Sequence, residues 1–159
     1  MSVEPFGKLD HLGVSQTNRQ SNLNNLWPQF KSLEVDITFA ASTTGAVAVH
    51  ELFTVTGVVE VALIAVCTTS VTGTGTIQVG TALDTDVLIA DTTGSGITKY
   101  DIWHDNSPDN SVEVSTVITR RICAENIDYK ISTNTLTGGV VKFILLWNPI
   151  SSDGTVVVT

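Results

Sequence analysis

The amino-acid sequence predicts an all-β chain, an antiparallel β-sandwich of which the jelly roll is one form, with an extended N-terminal arm. A closed barrel is the second choice. Three observations carry this. Thr, Val and Ile fill 56 of 159 positions, and such β-branched residues fit a pleated surface while losing χ1 freedom in helices. From Ser32 onward, short alternating runs are punctuated by Gly-, Ser- and Asn-bearing turns. Residues 1–31 are instead rich in Asn, Gln and Ser and carry no sheet period.

Taken in order, Leu33, Val35, Ile37 and Phe39 alternate with Glu34, Asp36 and Thr38, which predicts a strand with one wet and one buried face. Residues 42–45 predict a turn, and 46–56 a second strand containing His50 and Glu51. Gly57 interrupts, and residues 58–68 predict a third strand. After a turn at 72–75 come a strand over 76–82, a short one around 87–90, and a flexible link at 92–96. An acidic loop over 101–110 carries Pro108, and strands over 112–123, 128–133, 139–147 and 154–158 complete about nine. With no internal repeat and no helix-period segment in the body, residues 32–159 read as one domain and residues 1–31 as its arm.

Two strands are apolar on both sides. In the third, Val59, Val61, Leu63 and Ala65 share one face, and Val58, Ala62, Ile64 and Val66 share the other with Glu60. In residues 140–147, Val141, Phe143, Leu145 and Trp147 oppose Val140, Ile144 and Leu146 with Lys142. An antiparallel sandwich strand normally keeps one solvated face. The excess predicts an oligomer interface built on Val58, Ala62, Ile64, Val140, Ile144 and Leu146. The alternative is a central strand covered by the chain's own arm or loop.

Charge narrows the partners. The net charge of −8 divides into +1 on residues 1–31 and −9 on the remainder. An acidic body disfavours nucleic acid, whose phosphates demand clustered Lys or Arg. The one adjacent basic pair, Arg120 and Arg121, points to opposite faces of a strand. No apolar run approaches the roughly 20 residues that cross a bilayer, and the first residues lack the pattern of a secretory signal. The expectation is a protein made in the cytoplasm of whatever cell makes it, without nucleic-acid or membrane partners.

The arm holds the one helix-period signal, Leu23, Leu26, Trp27 and Phe30, which Ser21 can cap and Pro28 must kink. A short apolar anchor in a polar tether, with Arg19 ahead of it, suits a groove on a partner. Folding back onto its own sandwich is the equal alternative. Residues 1–20 are expected to be extended or disordered until bound.

Candidate chemistry is thin. Asp84, Asp86, Asp91, Asp101, Asp105 and Asp109, with His104, invite a calcium site, but their spacing is loose and the close oxygen cage of such a site is missing. They read as solvated loop acids, with no metal and no cofactor expected. His11, His50 and His104 show no zinc spacing, and His50 and Glu51, as strand neighbours, face opposite ways. No G-x-S-x-G elbow or assembled triad is present, so no catalytic residue and no enzyme is expected. Tyr100 and Trp103 form the one exposed-looking aromatic pair, the basis of a carbohydrate-binding alternative. Cys67 and Cys123 make no disulfide framework; a buried free thiol on the Val59, Val61, Leu63 face is favoured for Cys67 over a Cys67–Cys123 bridge.

The Thr/Val-rich strands carry short phrases with a family flavour. Val79, Gly80, Thr81 and Ala82 lead into Asp84, Thr85 and Asp86, then Ile89 and Ala90; Leu146, Trp147, Asn148 and Pro149 close with Ser151, Ser152, Asp153 and Gly154. In these the chain resembles small virion proteins of tailed bacteriophages, the capsid decoration or cement class, over roughly residues 32–154. The resemblance implies a β-rich homotrimer on the outer capsid surface, bridging copies of the major capsid protein with terminal arms. The arm anchor would then be Arg19, Leu23, Leu26, Trp27 and Phe30. A tail or head-fibre β module is the neighbouring alternative.

Overall fold

Strand β1 (Lys31–Thr38) opens a body that runs from Lys31 to Thr159 and forms a compact unit apart from Met1–Phe30. The structure is a computed structural model and describes residues 30–104, 107–110 and 118–159. The described chain continues through β2 (Val49–Thr56), β3 (Val59–Gly73), β4 (Thr76–Gly80) and β5 (Ile89–Thr93). A single 3-10 turn at Gly94–Gly96 precedes β6 (Ile102–Trp103), β7 (Arg120–Cys123), β8 (Ile127–Ser132), β9 (Leu136–Pro149) and β10 (Thr155–Val158).

Two antiparallel sheets result. The first runs β1-β9-β3-β6, with β7 also pairing β3; the second runs β10-β2-β8-β4-β5. The chain crosses between the sheets at every step except β4 to β5 and β6 to β7, which stay within one sheet, and β1 pairs with β9 as β2 does with β8. This nested winding is the order of a jelly roll, with β10 added beside β2. The all-β sandwich expected from the sequence is therefore the fold.

Why these residues make these strands is clearest in β1, β3 and β9. In β9, Val141, Phe143, Leu145 and Trp147 are buried, and the alternate residues Val140, Lys142, Ile144 and Leu146 are half-buried. In β3, Val59, Val61, Leu63, Ala65 and Cys67 face inward. Period-2 patterning places these rows on the core side, as predicted. Opposite them the second sheet sends in Phe53, Ile77, Val79, Ile127, Tyr129 and Ile131, all 0–1% exposed. An aromatic chain crosses the core: Tyr129 lies 6.3 Å from Phe143, which lies 6.5 Å from Trp103. Each such side chain contributes about 1.5–3 kcal/mol by leaving water, so the core is ample for a chain of this size.

The strand bounds differ from expectation where turns were misjudged. β3 and β9 run on to Gly73 and back to Leu136, pairing through three register irregularities between Cys67 and Gly73. Gly139, at φ +106, sits against Val71: a Cβ there would lie 2.6 Å from the Val71 Cα. That close approach lets the ladder bend without ending. β2 starts at Val49 rather than residue 46, because residues 41–45 form a longer turn whose Gly45 N–H bonds Ala40 O. Gly57 breaks the run as predicted, at φ +67. β7 is four residues long; the expected start of that strand, 112–117, lies outside the described residues.

Candidate functional site

The outer side of the first sheet is the surface the sequence singled out, and register builds it row by row. Ile64 lies opposite Ile144, and Ile144 opposite Glu34; Ala62 lies opposite Leu146, and Leu146 opposite Ser32. Val66, Lys142 and Asp36 make the next row. On the β7 side, Arg120 lies opposite Ala62 and Ile122 opposite Glu60. The face is thus an apolar centre of Ile64, Val66, Ile144 and Leu146 with charged flanks. On one flank Lys142 Nζ holds Glu34 at 3.1 Å and Asp36 at 3.7 Å, which raises the Lys142 pKa through the Glu34 hydrogen bond and the charge of Asp36. On the other, Arg120 meets Glu60 at 3.8 Å.

The six expected interface residues do not all belong to the flat of this face. Val140, Ile144, Leu146 and Ile64 do, each half-buried. Ala62 is on it but only 3% exposed, because its short side chain stays below its taller neighbours. Val58 is a correction: it precedes β3 at the corner after Gly57. There its N–H donates to Ser151 Oγ at 2.8 Å, and its carbonyl accepts from the Ile150 and Ser151 N–H groups. The turn at 150–154 therefore claims it. Sequence reasoning did not select Glu34, Asp36, Glu60 and Arg120 as members of this surface; their alternation with apolar residues was visible, their cross-strand partners were not.

Of the arm anchor, Arg19, Leu23, Leu26 and Trp27 lie outside the described residues, and Phe30 is half-buried. His11, Asp105 and residues 111–117 also lie outside them.

The carbohydrate platform does not form. Tyr100 is 71% exposed, with Lys99 Nζ 4.8 Å over its ring, but Trp103 is fully buried. Trp103 sits opposite Ala65 in β3 and so points into the core. The loop acids also need correction. Asp101 is 9% exposed and accepts hydrogen bonds from the Thr98 N–H and Oγ1, both at 2.8 Å. It fastens the turn that leads into β6. His104, expected in an exposed loop, is 5% exposed. Asp84 and Asp86 share a hydrogen bond that raises the Asp86 pKa. Among the described residues no group of three or more His, Cys, Asp or Glu is arranged to hold a metal ion.

Both cysteines are free and buried. Burial pushes the Cys67 thiol up, with the charge of Asp101 adding to it; its Sγ lies 3.2 Å from Thr69 O. Burial likewise raises Cys123, which lines a pocket of about 340 Å³ with Thr81, Leu83, Val87, Arg121 and Glu125. His50 and Glu51 do face apart. His50 stacks on Tyr129, whereas Glu51 accepts bonds from Thr54 and Thr159 that hold its carboxyl below the usual range. A bulge at Glu51–Phe53 then turns both Leu52 and Phe53 inward.

No protein-family model, no curated protein and no solved structure matches this chain.

Proposed function

We propose that this protein is a non-enzymatic virion structural protein, a capsid decoration or cement protein of a tailed phage. It assembles as a homotrimer on the outer surface of the head and clamps neighbouring copies of the major capsid protein with residues 1–31. The observation that supports this best is a jelly-roll body whose first sheet is apolar on both sides, Ile64 and Ile144 outside as Leu63 and Phe143 are inside. A lone sandwich gains nothing from the outer row; an assembled one buries it. Jelly rolls serve capsid proteins and lectins alike, and the burial of Trp103 removes the aromatic platform that favoured the lectin side.

In this reading the body supplies the oligomer and the arm supplies the attachment. Arg19, Leu23, Leu26, Trp27 and Phe30 insert across shell subunit boundaries, and the buried area they add exists only in the closed shell. Anything that binds one state alone stabilises it by mass action, so decorated heads resist bursting longer than bare ones.

The deciding experiment is cryo-electron microscopy of virions from the source phage, with antibody labelling of this protein. Density at three-fold or quasi-three-fold positions on the outer head, lost when residues 1–29 are deleted, is the expected result. Label confined to the tail or to fibres would assign it there instead, and glycan binding by a protein absent from the particle would defeat the virion reading.

A further inference from the structure

We propose that the end of the sandwich at which β1 begins is a docking face for the shell protein, and that the pocket between Leu83 and Ile122 on that end receives one of its apolar side chains. The proposal rests on the decoration reading above and adds the body to the arm as a point of attachment.

Register defines the end. Lys31 opens β1 in one row with Trp147, Val61 and Arg121. The rows beyond it are Asn148, Glu60 and Ile122, then Pro149, Val59 and Cys123. The first sheet finishes there, and residues 1–30 join the body at this end through Lys31. In the second sheet Thr155 lies opposite Thr56, and Gly80 opposite Asp128. Gly57 then carries the chain from Thr56 to the start of β3. The links 57–58, 81–88, 124–126 and 150–154 therefore share one end, as two bonds between them confirm. Leu83 N–H donates to Glu125 Oε2 at 3.1 Å, and Val58 N–H to Ser151 Oγ at 2.8 Å.

Apolar exposure concentrates around a cavity on that end. Leu83, at 87%, and Ile122, at 71%, are the most exposed large aliphatic side chains among the described residues. One such residue alone would need no explanation. Both line the same pocket of about 340 Å³, with Val87, Cys123 and Ala124 as further walls. A leucine free to move would fill an apolar cavity beside it. Leu83 is kept on the rim by its bond to Glu125 and by a loop that packs straight onto β4: a Cβ on Gly80 would lie 2.2 Å from Asp84 O. Thr81 N–H also donates to Asp84 O at 2.8 Å. The cavity is thus built into the fold and has room for one large side chain, the usual form of an anchor at a protein interface.

Charge states the partner's chemistry. Asp84, Glu125 and Asp153 are exposed on this end against Arg121. The side chain that enters is therefore set among Lys or Arg on the shell protein. The same end of a second copy is a poor occupant, because it would bring these carboxylates against their own kind. The apolar centre of the outer face, around Ile64 and Ile144, lies further along the sheet, so copies can join there while this end stays open to the shell.

Head binding tests the docking face. Heads of the source phage, grown without this protein, are mixed with the purified full chain and pelleted. Wild type should pellet with them, and less of it as salt is raised. L83D and I122D should each weaken binding at least about tenfold, while V47D, an exposed change at the opposite end, should bind as wild type does. Circular dichroism and light scattering should show the wild-type fold and mass for all three. Cys123, as a wall of the pocket, should react with a disulfide reagent at least about fivefold more slowly on heads than in solution, with Cys67 as the internal reference. Rim variants that bind like wild type, or a Cys123 that labels equally fast on heads and free, overturn the docking face and leave the decoration reading standing. A change of oligomer mass in L83D or I122D gives the pocket to a second copy and overturns it too. Wild-type protein that stays in solution defeats the decoration reading, and this one with it.

Discussion

The imidazole of His50 stacks on the ring of Tyr129 at 4.7 Å between centroids and 15° between planes. The two are cross-strand partners on β2 and β8, and each sends its polar end to the 41–48 segment: Tyr129 OH donates to Thr44 O at 2.9 Å, and His50 Nε2 lies 3.0 Å from Ala46 O. The stack therefore ties that turn to the core. Tyr129→Phe keeps the ring and loses one bond, so a loss of about 1 kcal/mol is expected in chemical denaturation. Tyr129→Ala, which also empties the aromatic site, should cost about 3–5 kcal/mol.

Stability should fall on the alkaline side. Burial pushes the Tyr129 hydroxyl from 10 to about 12, and burial also raises Cys67 and Cys123 above 9. A raised pKa in the folded state means its contribution is whole below the unfolded value and is lost as pH rises through the folded one. Denaturation midpoints should thus hold steady to about pH 9 and decline through about pH 12. Tyr129→Phe should flatten the upper part of that decline; a midpoint that rises over this range would contradict the burial of these groups.

Thiol titration reports the same core. With Cys67 at 1% and Cys123 at 5% exposure, a disulfide reagent should modify neither quickly in the native protein and both in denaturant. Cys123, which lines the pocket beside Leu83 and Arg121, should react first. Rapid native labelling of Cys67 would show that β3 opens.

Asp101 is a structural acid. Removing its carboxylate in Asp101→Ala strands the Thr98 N–H and hydroxyl, at an expected cost of about 1.5–3 kcal/mol for charge-assisted bonds. Asp91→Ala, at an exposed position, should stay within about 0.5 kcal/mol. Equal effects in thermal unfolding would remove the distinction between the two acids.

The outer face can be probed at its centre. Ile144→Asp puts a carboxylate opposite Ile64 and beside Glu34. If this face is an oligomer interface, as proposed, the change should dissolve the assembly into folded monomers by leaving a charge unpaired there, whereas Ile144→Val should leave the mass of the wild type unchanged. A misfolded Ile144→Asp monomer would instead mean that this face is covered within one chain.

Much of the architecture was legible because side-chain direction in a strand has period 2. Leu33, Val35, Ile37 and Phe39, or Val141, Phe143, Leu145 and Trp147, could face inward in one way only, and composition alone ruled for sheets. Even the excess on the far side of β3 and β9 was visible as a row of Ile and Leu where water was due. Local pattern also placed Gly57 at its break and set His50 and Glu51 apart.

Tertiary structure decided what alternation cannot express. Trp103 and Asp101 sit in a stretch of acids and look solvated, yet β6 pairs with Ala65 and Val66 and carries that loop inward. Val58 has the face of a strand residue, but Ser151, far along the chain, claims its backbone. Arg120 and Glu34 read as ordinary surface charges; only strand order puts them at the two ends of one sheet. The sequence determined which face each side chain takes, since that follows from adjacent residues. Which strands become edges, and what those edges offer a neighbour, depended on pairing between residues as distant in the chain as Lys31 and Trp147.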